Sequence, residues 1–197
     1  MSDRDPLAVA ARLSGRPGRV LLHSGRDDDG CGMWSFLACE PVRVIRAHGR
    51  EITVEDHEGG AVWTGEGDPL AILDEAIAEH CAGWPRDIAG PVPTVIGYLG
   101  YELLGRPPRL CAKMDRDRDR DSASGADAAG DGSIPDMWFG LYSAVWRHHH
   151  PGGRSDIVAR DPAARRALAA AIDSGPTRWG QPPRLGALRP RIAASGR

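Results

Sequence analysis

The residues best placed to do chemistry lie in "LLHSGRDDDGCGMWSFLACEP", residues 21–41, where two strand-like runs flank a loop of glycines and aspartates. Ser24 ends the first run beside Gly25, where a hydroxyl can accept from an ammonium or donate to a carboxylate. Glycine there keeps the backbone N–H groups approachable. Trp34 opens the second run and could wall off an apolar cavity. Together these groups suit a zwitterionic aromatic ligand; the other reading is a strand end beside a core tryptophan. Asp27, Asp28 and Asp29 form either a solvated loop or a set of oxygens of the kind calcium or magnesium takes. His148, His149 and His150 fall at a hairpin turn. Successive strand residues point to opposite faces, so the three cannot all face one metal.

Several catalytic signatures are absent. The sequence has no phosphate loop, no dinucleotide fingerprint, no H-E-x-x-H and no G-x-S-x-G. No nucleophile, base and orienting group form a set. No catalytic residue and no metal ligand set is therefore assigned. The four cysteines, Cys31, Cys39, Cys81 and Cys111, form no C-x-x-C pair and read as isolated thiols of a reducing compartment. A net charge of -2 gives no reason to expect a nucleic-acid surface. No run approaches the roughly 18 apolar residues that span a bilayer, and the N-terminus lacks an apolar signal core. The expectation is a cytoplasmic protein with neither nucleic acid nor membrane as partner.

The elements that must position Ser24 and Trp34 are legible from punctuation. Asp-Pro pairs start three helices, over 5–14, 68–84 and 161–173, with aspartate as N-cap and proline in the first turn. On the second, Leu70, Leu73, Ala76 (or Ile77) and Cys81 (with His80) fall near helical spacing, and Gly83 stops it. Strands are expected over 18–24, 33–41, 42–48, 51–56 and 61–65, with Pro41 breaking the run, and five strands in a row suggest an antiparallel meander. Residues 93–105 read as one long strand, whose Gly97 and Gly100 suggest a bulge or a close backbone approach. Residues 135–148 are apolar on both alternations, the mark of a strand buried on two faces, and 154–161 would pair back with it. Residues 111–133 alternate Asp and Arg and then turn to Ser, Gly and Ala. They predict a disordered insertion. The tail over 175–197 predicts a flexible linker.

Five of these pieces, "LLHSG", "GMWSFLACEP", "DPLAILDEAI", "GYLGYEL" and "PDMWFGLYSAVW", occur in the order and spacing of one family. From about Val20 to about Asp161 the chain resembles the N-terminal domain of component I of aminodeoxychorismate synthase and of its relative anthranilate synthase. The resemblance implies an α+β fold: an antiparallel β-sheet sandwich, with helices packed on one face, over residues 1–174. It implies amination of chorismate for p-aminobenzoate and folate synthesis, or for tryptophan synthesis in the anthranilate branch. It implies a chorismate-binding catalytic domain, in cis or in trans, and a glutamine amidotransferase subunit as partners. No motif of that catalytic domain is found, so the chain reads as a truncated or split component that cannot turn over chorismate alone. Mg²⁺ is expected only in that domain, and no cofactor is expected in this chain.

The resemblance also implies a pocket for an aromatic amino acid of the tryptophan type. Ser24 matches the serine that contacts the ligand's amino group, and Cys31, Gly32, Met33 and Trp34 fall on the segment that closes over it. Met33-Trp34 stand where the family commonly has Arg-Tyr, which removes a charged contact and a phenol. His23 stands where anthranilate synthases usually place glutamate, which points to the aminodeoxychorismate branch. A stand-alone module that binds an aromatic amino acid is the alternative from another class.

Overall fold

The structure, a computed structural model, describes residues 5–24, 32–104 and 134–175. Along the chain run α1 (Pro6–Arg12), β1 (Val20–Leu22), β2 (Trp34–Ala38), β3 (Arg43–His48), β4 (Glu51–Asp56), β5 (Ala61–Glu66), α2 (Pro69–Ala82) and β6 (Val95–Leu99). A single helical turn, α3 (Tyr101–Leu104), follows, then β7 (Met137–Leu141), β8 (Ala144–His149), β9 (Arg154–Ala159) and α4 (Pro162–Ser174). The expected insertion over 111–133 and the tail beyond Gly175 lie outside the described residues.

Each Asp-Pro pair starts a helix for the same reason. The Asp5, Asp68 and Asp161 carboxylates accept from the backbone N–H groups of Leu7, Leu70 and Ala164, while the proline occupies a position whose N–H has no helical partner. The buried face of α2 carries Leu73, Ala76 and His80, whereas Leu70 and Cys81 are exposed. His80 thus takes the inward position expected of Cys81. Its polar edge meets a partner there: Nε2 lies 3.1 Å from the Tyr142 carbonyl oxygen and 3.2 Å from the Trp84 indole nitrogen. One nitrogen serves only one of these at a time, donating to the carbonyl or accepting from the indole.

The strands form two antiparallel sheets, ordered β1-β2-β8-β9 and β5-β4-β3-β7-β6. The expected five-strand meander is therefore divided. The chain leaves the first sheet after β2 through Glu40, whose φ of 52° lies in the left-handed region, and through Pro41, which cannot donate to a ladder. Only β3-β4-β5 form a meander. The expected single strand over 135–148 is likewise two, divided at Tyr142 and Ser143, with β7 central in one sheet and β8 central in the other. Both are covered on both faces, so the apolar pattern runs through the break. Residues 93–105 also form no single strand, because β6 ends at Leu99 and the chain turns into α3. The close approach expected at Gly97 is present: a methyl added there would overlap the Trp138 carbonyl oxygen and the Phe139 ring.

Three apolar clusters layer the molecule. Val9 of α1, Leu13 at its C-cap and Leu168 of α4 pack on Leu37 and Trp146 of the four-stranded sheet. Ala38, Ile96, Tyr142 and Val145 fill the space between the sheets. Leu73 and Ala76 of α2 cover Ile45, Ile52 and Met137 of the five-stranded sheet. Helices therefore flank both sheets rather than one face. An α1/α4 layer alone would leave Ile45, Ile52 and Met137 in water, and burial of such side chains stabilises by about 1.5–3 kcal/mol each.

Candidate functional site

Strand pairing positions the predicted residues. β1 and β2 are antiparallel with Val20 opposite Ala38 and Leu22 opposite Phe36. Continuing that register brings Ser24 level with Trp34, on the face that looks toward the second sheet. Ser24 is half-buried and its N–H donates to the Ser35 hydroxyl over 3.4 Å. Gly32 is buried, whereas the Met33 side chain is exposed and its carbonyl accepts from His150 N–H at 2.9 Å. Cys31 lies outside the described residues, as do Asp27, Asp28 and Asp29.

Trp34 is enclosed on several sides. Phe36 stacks on it with ring centroids 6.2 Å apart and an interplanar angle of 13°, and the His149 ring lies at 4.6 Å. The Arg147 guanidinium sits 5.2 Å from the indole centroid, within the range of an attractive cation–π contact. Arg147 is itself fixed by a fork of bonds: Nε and Nη2 donate to the Asp156 carboxylate at 2.8 and 3.0 Å, and Nη1 donates to the carbonyls of Ala89 and Pro91 at 2.6 and 3.3 Å. The segment between α2 and β6 thereby passes over the indole. At Gly90 φ is +81°, and a Cβ there would come within 3.2 Å of Arg147 Nη1 and 3.4 Å of the Trp34 ring. With four of its five N–H donors engaged, this guanidinium holds the wall together rather than offering a charge to a ligand.

On the opposite face of the same strands lies a histidine cluster. The Ser35 hydroxyl, fully buried, is 2.8 Å from both His23 Nδ1 and His150 Nε2. His148 packs edge-on to His150 with centroids 4.9 Å apart, and its Nδ1 lies 2.8 Å from the Ser155 hydroxyl. The expectation that three adjacent histidines cannot share a face holds in its geometry, since His149 points to Trp34 while His148 and His150 point away. They are half-buried rather than exposed in a turn. Burial, then the neighbouring His150, hold the His148 pKa below the ordinary value, against an opposing pull from Asp5. Among the described residues no group of three or more His, Cys, Asp or Glu side chains is arranged to hold a metal ion.

A groove of about 570 Å³ lies elsewhere, lined by Pro17, Val44 and Trp138 and by Glu40, Glu55 and Glu58, and neither Ser24 nor Trp34 borders it. Its three carboxylates are each met by an arginine, Arg16, Arg46 and Arg160 respectively, so it presents little net charge. Of the two thiols among the described residues, Cys39 is buried and free, and burial pushes it up to about 11, which leaves it un-ionised and inert. Cys81 is free and exposed.

Sequence reasoning missed Arg147, Gly90 and Ser35. The signal for Arg147 was present: a charged residue inside a run that is apolar on both alternations needs hydrogen-bonding partners for its buried fork. Ser35 carried none, because its partners come from positions 23 and 150.

No family model matches the chain. It is 29% identical over 162 residues to aminodeoxychorismate synthase component 1 of Klebsiella aerogenes, covering 79% of this chain and 31% of that protein. It is 27% identical over 168 residues to the protein of the same name from Escherichia coli K12, covering 80% and 32%. Anthranilate synthase component 1 of Pseudomonas putida is 26% identical over 169 residues, covering 83% and 31%. The chain thus spans about a third of the length of the relatives it matches. Among the described residues no helix is long and apolar enough to cross a membrane.

Proposed function

We propose that this chain, a distant homologue of component 1 of the aminodeoxychorismate and anthranilate synthases over about four-fifths of its length, is the N-terminal β-sandwich part of an aminodeoxychorismate synthase component. In this reading it contributes to the amination of chorismate to 4-amino-4-deoxychorismate without holding the reacting groups. The observation that carries it is the lopsided coverage: most of this chain aligns with less than a third of each relative. The absence of any nucleophile, base and orienting set in the sequence agrees with chemistry located in the remaining two-thirds. Chorismate, Mg²⁺ and the ammonia-supplying glutaminase would engage that part.

In this chain the proposed role is to hold an aromatic amino acid of the tryptophan type, with Ser24 taking the ammonium and Trp34 forming the apolar wall. Cys31, Gly32 and Met33 would close the site. Burying an indole of about 150–250 Å² at about 25 cal/mol/Å² gives roughly 4–6 kcal/mol before association costs. Polar contacts must supply the rest of a micromolar affinity, about 8 kcal/mol.

Two measurements test the reading. Purified chain mixed with a separately expressed chorismate-binding domain of an aminodeoxychorismate synthase should restore amination, with neither part active alone. Activation of the chorismate-binding domain of an anthranilate synthase instead would assign the chain to the other branch, and no gain on mixing with either would sink the proposal. Calorimetry with L-tryptophan should show binding that Ser24→Ala weakens by about 1–3 kcal/mol, the cost of an unpaired ammonium. An unchanged dissociation constant removes Ser24 from the site.

A further inference from the structure

We infer that Ser35, held between His23 and His150, couples protonation of these two imidazoles to the backbone at Ser24, so that acid loosens the chain just past β1. As regulation of the amino-acid site this rests on the reading of Ser24 given above, but the coupling itself is a property of the free chain.

The inference follows from counting donors. The Ser35 oxygen meets three groups: His23 Nδ1 at 2.8 Å, His150 Nε2 at 2.8 Å and Ser24 N–H at 3.4 Å. A hydroxyl has one proton to give and two lone pairs. All three contacts are satisfied only when one facing imidazole nitrogen donates and the other, bare, accepts the hydroxyl proton. The first added proton can enter at the outer nitrogen of the donating ring and leave this arrangement intact. The second must enter at the bare facing nitrogen. Three donors then compete for two lone pairs, and the hydroxyl proton of a fully buried serine has no acceptor. The longest contact, from Ser24, gives way. Like charge adds to the resistance, because the two rings are 5.8 Å apart.

The surroundings work in the same direction. The titratable groups that act on His148, the histidine packed against this pair, are His149 on β8, His150 in the turn after it, His23 beyond β1 and Asp5 at the start of α1. Only Asp5 favours charge. Arg147 and Asp156 bond each other on the opposite face of the sheet. The mechanical link to the candidate site is short, since His23 precedes Ser24, Ser35 follows Trp34 and the His149 ring lies against the indole.

The test follows the Ser24 amide of the full chain by NMR between about pH 8 and 5, the window in which imidazoles change charge. The Ser24 resonance should move on acidification through this window. In His150→Gln, which keeps a hydrogen-bonding side chain, and in Ser35→Ala, which removes the shared oxygen, that movement should be lost. A Ser24 amide indifferent to pH in the unaltered chain, or one that moves equally in Ser35→Ala, overturns the inference. L-Tryptophan affinity, measured on the same samples, should fall about threefold to tenfold across this window, the worth of one hydrogen bond. If L-tryptophan binds at no pH, the ligand reading of Ser24 fails, while the titration of the free chain still decides the coupling.

Discussion

Replacing Arg147 by Met and, separately, Asp156 by Asn separates two ways in which the Trp34 wall could be held. The Arg147 side chain is 9% exposed, whereas its carboxylate partner is 50% exposed. A pair with one member so open to water is worth about 0–1 kcal/mol. The bonds to the Ala89 and Pro91 carbonyls come from the Nη1 of this buried side chain, at 2.6 and 3.3 Å, and hydrogen bonds to charged groups contribute about 1.5–3 kcal/mol each, the longer one less. The contact over Trp34 adds roughly 0.5–1 kcal/mol, and desolvation of the cation offsets part of the sum. Arg147→Met should therefore cost about 2–4 kcal/mol and Asp156→Asn less than about 1 kcal/mol. Urea unfolding at neutral pH, followed by far-UV circular dichroism, measures both. If Asp156→Asn costs as much as Arg147→Met, the guanidinium depends on its carboxylate, and attachment of the 89–91 segment through carbonyls is refuted.

Three further outcomes are expected. Tyr142→Phe removes the hydroxyl that donates to the Gly18 carbonyl at 2.7 Å. It should cost about 1–3 kcal/mol and lower the melting temperature by about 2–4 °C per kcal/mol in calorimetry. Gly97→Ala places a methyl against the Trp138 carbonyl and the Phe139 ring, and should lose about 2–3 kcal/mol or prevent β6 from pairing, visible in amide exchange. Burial holds the His80 pKa below the ordinary value of about 6.5, so the unfolded chain binds that proton more tightly than the folded one. Stability should be intact above about pH 6.5 and lost as pH falls through the depressed value, and His80→Gln should flatten that dependence in urea titrations from about pH 7.5 to 5. The Asp56 and Asp161 carboxylates, held low first by backbone N–H bonds from Gly59 and Ala164 respectively, lose their contribution only in a more acidic window, below about pH 4.

What the sequence discloses is mostly local chemistry. An aspartate before a proline states a helix start in two letters, and all three such starts are where the pattern puts them. Pro41 states a break for the same reason. What it hides depends on partners far along the chain. The run over 135–148 gives no sign of its division, because each half is a central strand and the side chains on both sides of the break are equally apolar. His80 and Cys81 compete for one helical face by spacing. The winner is decided by the Tyr142 carbonyl, 62 residues away. At the candidate site, Ser24 and Trp34 are readable as residue types at a strand end. Arg147 and Gly90, which enclose the indole, meet it only because β8 and the segment before β6 are brought beside β2 by the sheet order.

The pairing of β2 with β8 has a consequence for assembly. Ser35 and His150 meet across 115 positions, and every strand of the five-stranded sheet lies between these partners in the chain. Closing so wide a ring is slow, yet each doubling of the ring adds only about 0.6 kcal/mol to its entropic cost. The wall around the indole thus exists only once that ring has shut, which makes it a late arrival in folding. Lengthening or shortening the sequence between β6 and β7 should leave it standing.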